Sequence, residues 1–115
     1  MVHNMKLREK YFNMIKDGKK IYEIRLNDEK RQLINVGDII VFRKETNLDE
    51  KVDTVVKDLI YFNSFKEMAK TLPIEKVGFI NKNVEEVVDA YYEFYTVEDE
   101  VKYGVIAIKV KLLVM

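Results

Sequence analysis

Residues 18–31 read Gly-Lys-Lys-Ile-Tyr-Glu-Ile-Arg-Leu-Asn-Asp-Glu-Lys-Arg, which is a glycine followed by a strand pattern that contains charged residues. Side chains alternate between the two faces of a strand, so Glu23 and Arg25 share one face, opposite the apolar Ile24. A charge inside a strand pattern needs a partner. We therefore expect either that Glu23 and Arg25 pair with each other or that they line a pocket for a polar ligand.

The chain of 115 residues has the size of one domain, and 48% of its residues are hydrophobic. That proportion is sufficient for a real core. With 4 glycines and 1 proline, the composition shows no sign of low complexity or disorder. The prediction is a single folded domain over residues 1–115.

Cysteine is absent from the sequence, and His3 is the only histidine. Disulfides and thiol nucleophiles are therefore excluded, and His3 is the one residue that a Ser/His catalytic pair could use, which argues against such a site. A metal site needs further ligands, so we interpret His3 as a surface or edge residue and predict neither a metal nor a cofactor. No apolar run is long enough for a membrane span, and the first residues do not resemble a signal peptide. We expect a cytoplasmic protein with no membrane partner.

The charges balance overall but are unevenly distributed. Twenty basic and 20 acidic side chains give a net charge of zero, which argues against non-specific coating of nucleic acid. Residues 1–31 hold nine basic and five acidic side chains, whereas residues 84–100 hold seven acidic and no basic ones. These are either two solvated faces or a basic patch for a small anionic or nucleic-acid ligand.

Hydrophobic periodicity predicts alternating strands and helices. The predicted strands cover residues 3–7, 21–26, 39–42, 52–62 and 105–113. The predicted helices cover residues 8–17 and 64–69 and a segment from 83 onward, with short segments at 73–80 and 96–99. Residues 43–51 are charged and are predicted to form a hairpin loop. The fold class is α+β, a small β-barrel of about five to six strands with three to four helices.

Tyr91, Tyr92 and Tyr95 continue an apolar stripe at helical spacing. Such a stripe most often packs in the core, although a tyrosine can leave its hydroxyl at the edge of a pocket. The alternative is a stacking platform, since a base stacked on an aromatic ring contributes ~1–3 kcal/mol.

The motif Gly18-Lys-Lys-Ile-Tyr-Glu-Ile-Arg25 resembles the G-x-K-x-x-E-x-R core of the ASCH domain. It is followed by Asp28-Glu-Lys-Arg31, by Gly37-Asp38 and by the closing strand that starts at Tyr103-Gly104, so the resemblance spans nearly the whole chain. The ASCH family belongs to the PUA-like superfamily of small β-barrels. The resemblance implies a PUA-like barrel with a cleft for RNA or a nucleotide.

The resemblance implies that the motif residues Lys20, Glu23 and Arg25 line this cleft. Their charge and position add Lys30, Arg31 and Tyr95 as candidate ligand-binding residues. The first hypothesis is a binding module in which Lys20, Lys30 and Arg31 meet phosphate while Arg25 and Glu23 read polar base edges. The sequence makes no prediction of the oligomeric state.

The second hypothesis is an amidohydrolase that acts on acylated nucleosides such as N4-acetylcytidine. A bacterial branch related to this family uses a lysine, a threonine and a glutamate for that reaction. Lys20 aligns with the lysine, and Glu23 occupies the threonine position. In this hypothesis Lys20 acts as nucleophile or base and Glu23 shuttles protons, which requires a lysine pKa lowered by burial or by cationic neighbours.

Overall fold

Strands and helices alternate along the chain in the computed structural model, which describes residues 1–113. The strands in this range are β1 (Val2–Leu7), β2 (Tyr22–Leu26), β3 (Ile39–Lys44), β4 (Asn47–Phe62) and β5 (Val105–Leu112). The α-helices are α1 (Glu9–Lys16), α2 (Phe65–Thr71), α3 (Ile74–Val77), α4 (Val84–Tyr92) and α5 (Val97–Tyr103). No helix within residues 1–113 has the length and apolar character needed to cross a bilayer.

All five strands form one sheet in the order β1-β3-β4-β5-β2. The pair β1–β3 is parallel, and the pairs β3–β4, β4–β5 and β5–β2 are antiparallel. The sheet curls into a half-barrel whose two edges are β1 and β2. The predicted α+β fold with a small PUA-like barrel is confirmed.

Strand β5 is buried on both faces because a core lies against each of them. Ile106 and Ile108 pack in the core that also contains Phe12 of α1. Val105 and Ala107, which alternate with them, pack in a second core under α2, α3 and α4. The continuous apolar run of β5 thus reflects two-sided burial. Helix α1 therefore lies on one side of the sheet, and α2, α3 and α4 lie on the opposite side.

The predicted hairpin loop over residues 43–51 is wrong. Strand β3 extends to Lys44 and β4 already begins at Asn47, so the turn contains two residues and β4 is 16 residues long. Much of this hairpin end is exposed on both faces, and Lys44 pairs with Glu50 across the strands at 3.0 Å. A strand in water on both faces needs no apolar alternation, so its sequence looks like a loop.

The described residues form five α-helices where the sequence predicts three to four. The segment at 73–80 contains a complete short helix, α3, which ends at Gly78 in the left-handed conformation (φ 118°). The Thr96 side chain accepts a hydrogen bond from the backbone N–H of Asp99 at 3.1 Å and so starts a full helix, α5. Both helices are short, so their periodicity in the sequence is weak.

Asp38 anchors the start of β1 to the turn before β3. Its carboxylate accepts hydrogen bonds from His3 Nε2 at 2.9 Å, from the Asn35 backbone N–H at 2.9 Å and from the Met1 amino group at 3.3 Å. His3, predicted to be a surface or edge residue, lies on this edge strand with its side chain 10% exposed. The bond from His3, followed by the bond from Asn35, lowers the pKa of Asp38 from 3.8 to about 2.

We expect Asp38→Asn to destabilise the protein at neutral pH and to reduce the loss of stability in acid. A carboxyl group whose pKa is lower in the folded than in the unfolded protein stabilises the folded state at a pH above its pKa in the unfolded chain. This contribution is lost as the pH falls toward the pKa of the group in the folded protein. The difference in the free energy of unfolding between wild type and variant should therefore shrink as the pH falls from 3.8 to about 2. Urea unfolding at several pH values measures it, with Asp89→Asn on the exposed face of α4 as control. A difference that stays constant through this window would contradict the assignment.

Candidate functional site

The candidate site lies where the sheet stays open, between the edge strands β1 and β2. Arg25 of β2 donates from Nη2 to the backbone carbonyl of Lys6 in β1 at 3.1 Å, so the two edges approach each other there. A cavity of about 240 Å³ opens at this point. Its lining comes from β1, β2, α1, the end of α3, and α4 with the turn that follows it.

Lys20 lies beneath the cavity with only 3% of its surface exposed. Helix α1 ends at Lys16, and Gly18 just beyond it takes the left-handed conformation (φ 77°), where the chain turns toward β2. The Lys20 ammonium has three hydrogens, and three acceptors surround it: the carbonyls of Tyr22 and Val77, the latter at 2.6 Å, and Glu23 Oε1 at 3.2 Å. Burial lowers the pKa of Lys20, although the adjacent Glu23 carboxylate opposes this shift.

Glu23 is the centre of the charged group, with 6% of its surface exposed. Its Oε1 faces Lys20, and its Oε2 accepts a hydrogen bond from Arg25 Nε at 2.7 Å. Burial alone would raise the pKa of Glu23, but the charges of Lys20 and Arg25 outweigh it and hold that pKa below its usual range. Glu23 is therefore an ionised carboxylate with both oxygens engaged. The expectation that Glu23 and Arg25 share a strand face is confirmed, and they also pair.

Arg25 still has donors to offer. A guanidinium carries five N–H groups. One of them binds Glu23 and one binds the Lys6 carbonyl, which leaves three without an acceptor among residues 1–113. Burial disfavours the charge of Arg25, but Glu23 more than compensates and its pKa is raised. The side chain lines the cavity with a fixed orientation and unused donors.

Gly78 allows Tyr11 and Lys20 to approach the end of α3. A Cβ atom at this position would lie 3.1 Å from the Tyr11 ring and 3.3 Å from Lys20 Cδ. The Tyr11 ring lines the cavity, and its centroid is 5.8 Å from Lys20 Nζ. Burial raises the pKa of Tyr11, so its hydroxyl is a neutral donor and acceptor at neutral pH.

Tyr91 and Tyr95 belong to both the core and the cavity. Their rings stack on the buried ring of Phe65 at centroid distances of 4.7 and 5.6 Å, and both residues also line the cavity. Burial raises the pKa of Tyr95 and raises that of Tyr91 well above its usual range. Tyr92, the third residue of the stripe, bonds instead to Glu100 at 2.6 Å. The stripe therefore packs in the core and also presents two of its tyrosines to the cavity.

The structure brings four of the six predicted site residues to the cavity: Lys20, Glu23, Arg25 and Tyr95. The other two, Lys30 and Arg31, do not line it. Arg31 starts the 3₁₀ turn Arg31–Leu33 and pairs with Asp28 at 3.4 Å, while Lys30 is exposed. The local acidic partner is sufficient to hold Arg31 away from the cavity.

Several residues that line the cavity are not predicted from the sequence as site residues, among them Lys6, Arg8, Tyr11 and Phe94. Lys6 and Arg8 reach it because β1 is the edge strand opposite β2, which depends on the strand order of the whole sheet. The excess of basic residues over positions 1–31 is the only local signal for these two cations.

Comparison with known proteins identifies the family. The sequence model of the ASCH domain matches residues 5–114, which is almost the entire chain. The chain belongs to the ASCH domain family. The G-x-K-x-x-E-x-R resemblance is therefore confirmed, and the buried Lys20, Glu23 and Arg25 are the three charged positions of that motif.

Two solved structures are similar to this ASCH domain over its full length. The crystal structure of hypothetical protein PH0355 is 42% identical, covers 98% of this chain and 100% of its own, and superposes with a TM-score of 0.88. The solution structure of protein PF0455 from Pyrococcus furiosus is 39% identical, with 98% of both chains covered and a TM-score of 0.79. No curated protein matches the chain significantly.

A more distant neighbour shares the fold alone. The crystal structure of the ASCH protein from Zymomonas mobilis is 13% identical and has a TM-score of 0.66. The match covers 96% of this chain and 66% of the other. It supports the assignment of the half-barrel to the ASCH and PUA-like fold.

We expect Glu23→Ala to destabilise this ASCH domain by about 3–5 kcal/mol, because it leaves two buried cations without their carboxylate. Glu23→Gln should cost less, since an amide oxygen still accepts one bond. Chemical denaturation followed by circular dichroism measures both variants. Glu85→Ala, which removes an exposed carboxylate from α4, is the control and should change stability by less than about 1 kcal/mol. A similarly small loss for Glu23→Ala would contradict the central role of this carboxylate.

Proposed function

We propose that this ASCH domain binds a nucleotide or a short single-stranded RNA by taking one base into the cavity between β1 and β2. The observation that carries the proposal is Arg25. Glu23 and the Lys6 carbonyl fix its guanidinium, and its three remaining N–H groups have no acceptor among residues 1–113. A fixed planar set of donors suits the carbonyl and ring-nitrogen acceptors of a base edge.

The remaining walls of the cavity favour the same kind of ligand. Three tyrosines, Tyr11, Tyr91 and Tyr95, line the cavity with aromatic rings and neutral hydroxyls, and Phe79 adds a further aromatic ring. The volume of about 240 Å³ lies just below the roughly 300–1,000 Å³ of drug-sized ligand sites. This size is suited to one base, and the zero net charge of the chain favours a ligand of few nucleotides over a long duplex.

The geometry favours binding over catalysis. A lysine that attacks an amide needs a free lone pair, whereas Lys20 Nζ already lies within hydrogen-bond distance of three acceptors. A proton shuttle needs a carboxylate with an available oxygen, and both oxygens of Glu23 are occupied by cations. The charged floor of the cavity acts as a fixed electrostatic support for Arg25.

Titration of the wild-type protein with the four ribonucleosides, their monophosphates and short single-stranded RNAs at low salt tests the proposal. We expect binding with a shallow salt dependence, because few phosphates are neutralised. Arg25→Lys keeps the charge but loses the planar donors, and should weaken binding by about 1–3 kcal/mol. The control is Arg43→Lys, whose arginine lies on β3 outside the cavity and donates to the Leu48 carbonyl. No binding of any probe by the wild type would refute the proposal.

An amidohydrolase is the second candidate, and one observation favours it. Burial lowers the pKa of Lys20, which increases the fraction of the neutral amine that a base or nucleophile requires. In such a reaction the acyl C–N bond breaks, water supplies the hydroxyl of the released carboxylic acid, and the leaving amine takes up a proton.

Incubation with N4-acetylcytidine separates the two functions. If the protein is a binding module, the nucleoside should remain intact, and chromatography should detect no cytidine. Release of cytidine by the wild type, abolished in a folded Lys20→Met variant and retained in Lys66→Met on the exposed face of α2, would establish the hydrolase instead. Circular dichroism of each variant reports whether it is folded.

A further inference from the structure

The mouth of the cavity carries a positive surplus in a chain of zero net charge. Four basic side chains line the cavity: Lys6, Arg8, Lys20 and Arg25. Two carboxylates line it, Glu23 and Glu45, so the surplus is two positive charges. Lys20 and Arg25 at the floor share the single carboxylate of Glu23, which leaves one positive charge there. Lys6 and Arg8 together with Glu45 account for the other positive charge, nearer the mouth.

Lys6 and Arg8 are both exposed at this mouth. Neither forms an ion pair with any carboxylate of the described residues. Other lysines of the N-terminal half do find such partners; Lys44, for example, lies 3.5 Å from Glu9 and 3.0 Å from Glu50. The two cations beside the cavity are thus available to an external anion.

Phe94 positions the Arg8 side chain. The guanidinium carbon lies 4.4 Å from the centroid of the Phe94 ring, which is 57% exposed on the turn after α4. A guanidinium stacked on an aromatic face keeps its N–H groups in the ring-parallel plane, where they can still bind an anion. Stacking therefore orients Arg8 without using its donors.

We propose that Lys6 and Arg8 form a phosphate subsite at the mouth of the cavity, so that the ligand is a phosphorylated nucleoside or a phosphodiester strand and not a free nucleoside. This rests on the proposed function and deepens it. Lys6 connects the two parts of the site, because its carbonyl accepts the bond that fixes Arg25 while its own side chain lies at the mouth. Lys6 and Arg8 thus take the role of phosphate contact that the sequence assigns to Lys30 and Arg31, two residues that do not line the cavity.

Isothermal titration tests this with three groups of probes: ribonucleosides, their 5′- and 3′-monophosphates, and dinucleotides with an internal phosphodiester. The wild type should bind at least one phosphorylated probe about tenfold or more tightly than the matching nucleoside, as expected for charge-assisted hydrogen bonds to phosphate. The double variant Lys6→Ala/Arg8→Ala should abolish this preference, measured as the ratio of the affinities for the phosphorylated probe and for the matching nucleoside. Its salt dependence should become shallower by about one unit of slope for each phosphate-binding side chain removed.

The matched control is Lys66→Ala/Lys70→Ala, which removes the same charge from the exposed face of α2 and should keep the preference. The monoester and diester probes distinguish a free nucleotide from a strand. Equal affinity of the wild type for nucleosides and phosphorylated probes would overturn the subsite and leave the proposed function intact. A preference that survives in Lys6→Ala/Arg8→Ala, or that disappears equally in the control, would also overturn it. Failure of every probe to bind would remove the proposed function together with the subsite.

Discussion

The site depends on the ion pairs formed by the carboxylate of Glu23. Two cations, Lys20 and Arg25, lie beside it, and removal of the carboxylate would leave Lys20 as a buried ion without a counter-charge, which is strongly destabilising. The ion pairs with Glu23 offset part of the charge of the two cations, and backbone carbonyls accept further hydrogen bonds from them. Through those carbonyls the network also connects elements that are distant in sequence: the end of α3 through Val77 and the edge strand β1 through Lys6.

The cavity exists because the sheet does not close. With the strand order β1-β3-β4-β5-β2, the strands β1 and β2 are left as edges that face each other without a ladder of hydrogen bonds between them. Proteins protect such edges with charged side chains or by covering them. Here one side chain, Arg25, crosses the gap. Tyr11 of α1, Tyr91 of α4 and Phe79, which follows α3, line the cavity beside it. The cavity that remains between the two strands has a charged floor and aromatic walls.

The sequence predicts the parts of this arrangement that depend on local spacing. Strand parity places Glu23 and Arg25 on one face, and the family motif adds Lys20 to the lining of the same cleft. It does not predict that Lys6 and Arg8 reach the cavity, since that follows from the pairing of β1 with β3, a contact across more than thirty residues. The sequence also assigns Arg31 to the cleft. Its charge alone does not reveal that Arg31 forms a local ion pair with Asp28, three residues earlier. The β3–β4 hairpin is predicted, but its end is assigned to a loop for a related reason: backbone pairing, and not an apolar face, defines the exposed ends of the two strands.

The division of charge in the site argues for a ligand with two different ends. At the floor, one carboxylate offsets half of the charge of two cations, and the fixed planar donors of Arg25 suit neutral acceptors such as base carbonyls. A full anion placed there would have to be desolvated next to Glu23, which is unfavourable. At the mouth, Lys6 and Arg8 lie in water without carboxylate partners among the described residues, so an anion can be bound there with little desolvation. A neutral group inside and an anionic group outside is the arrangement of charge that a nucleotide presents.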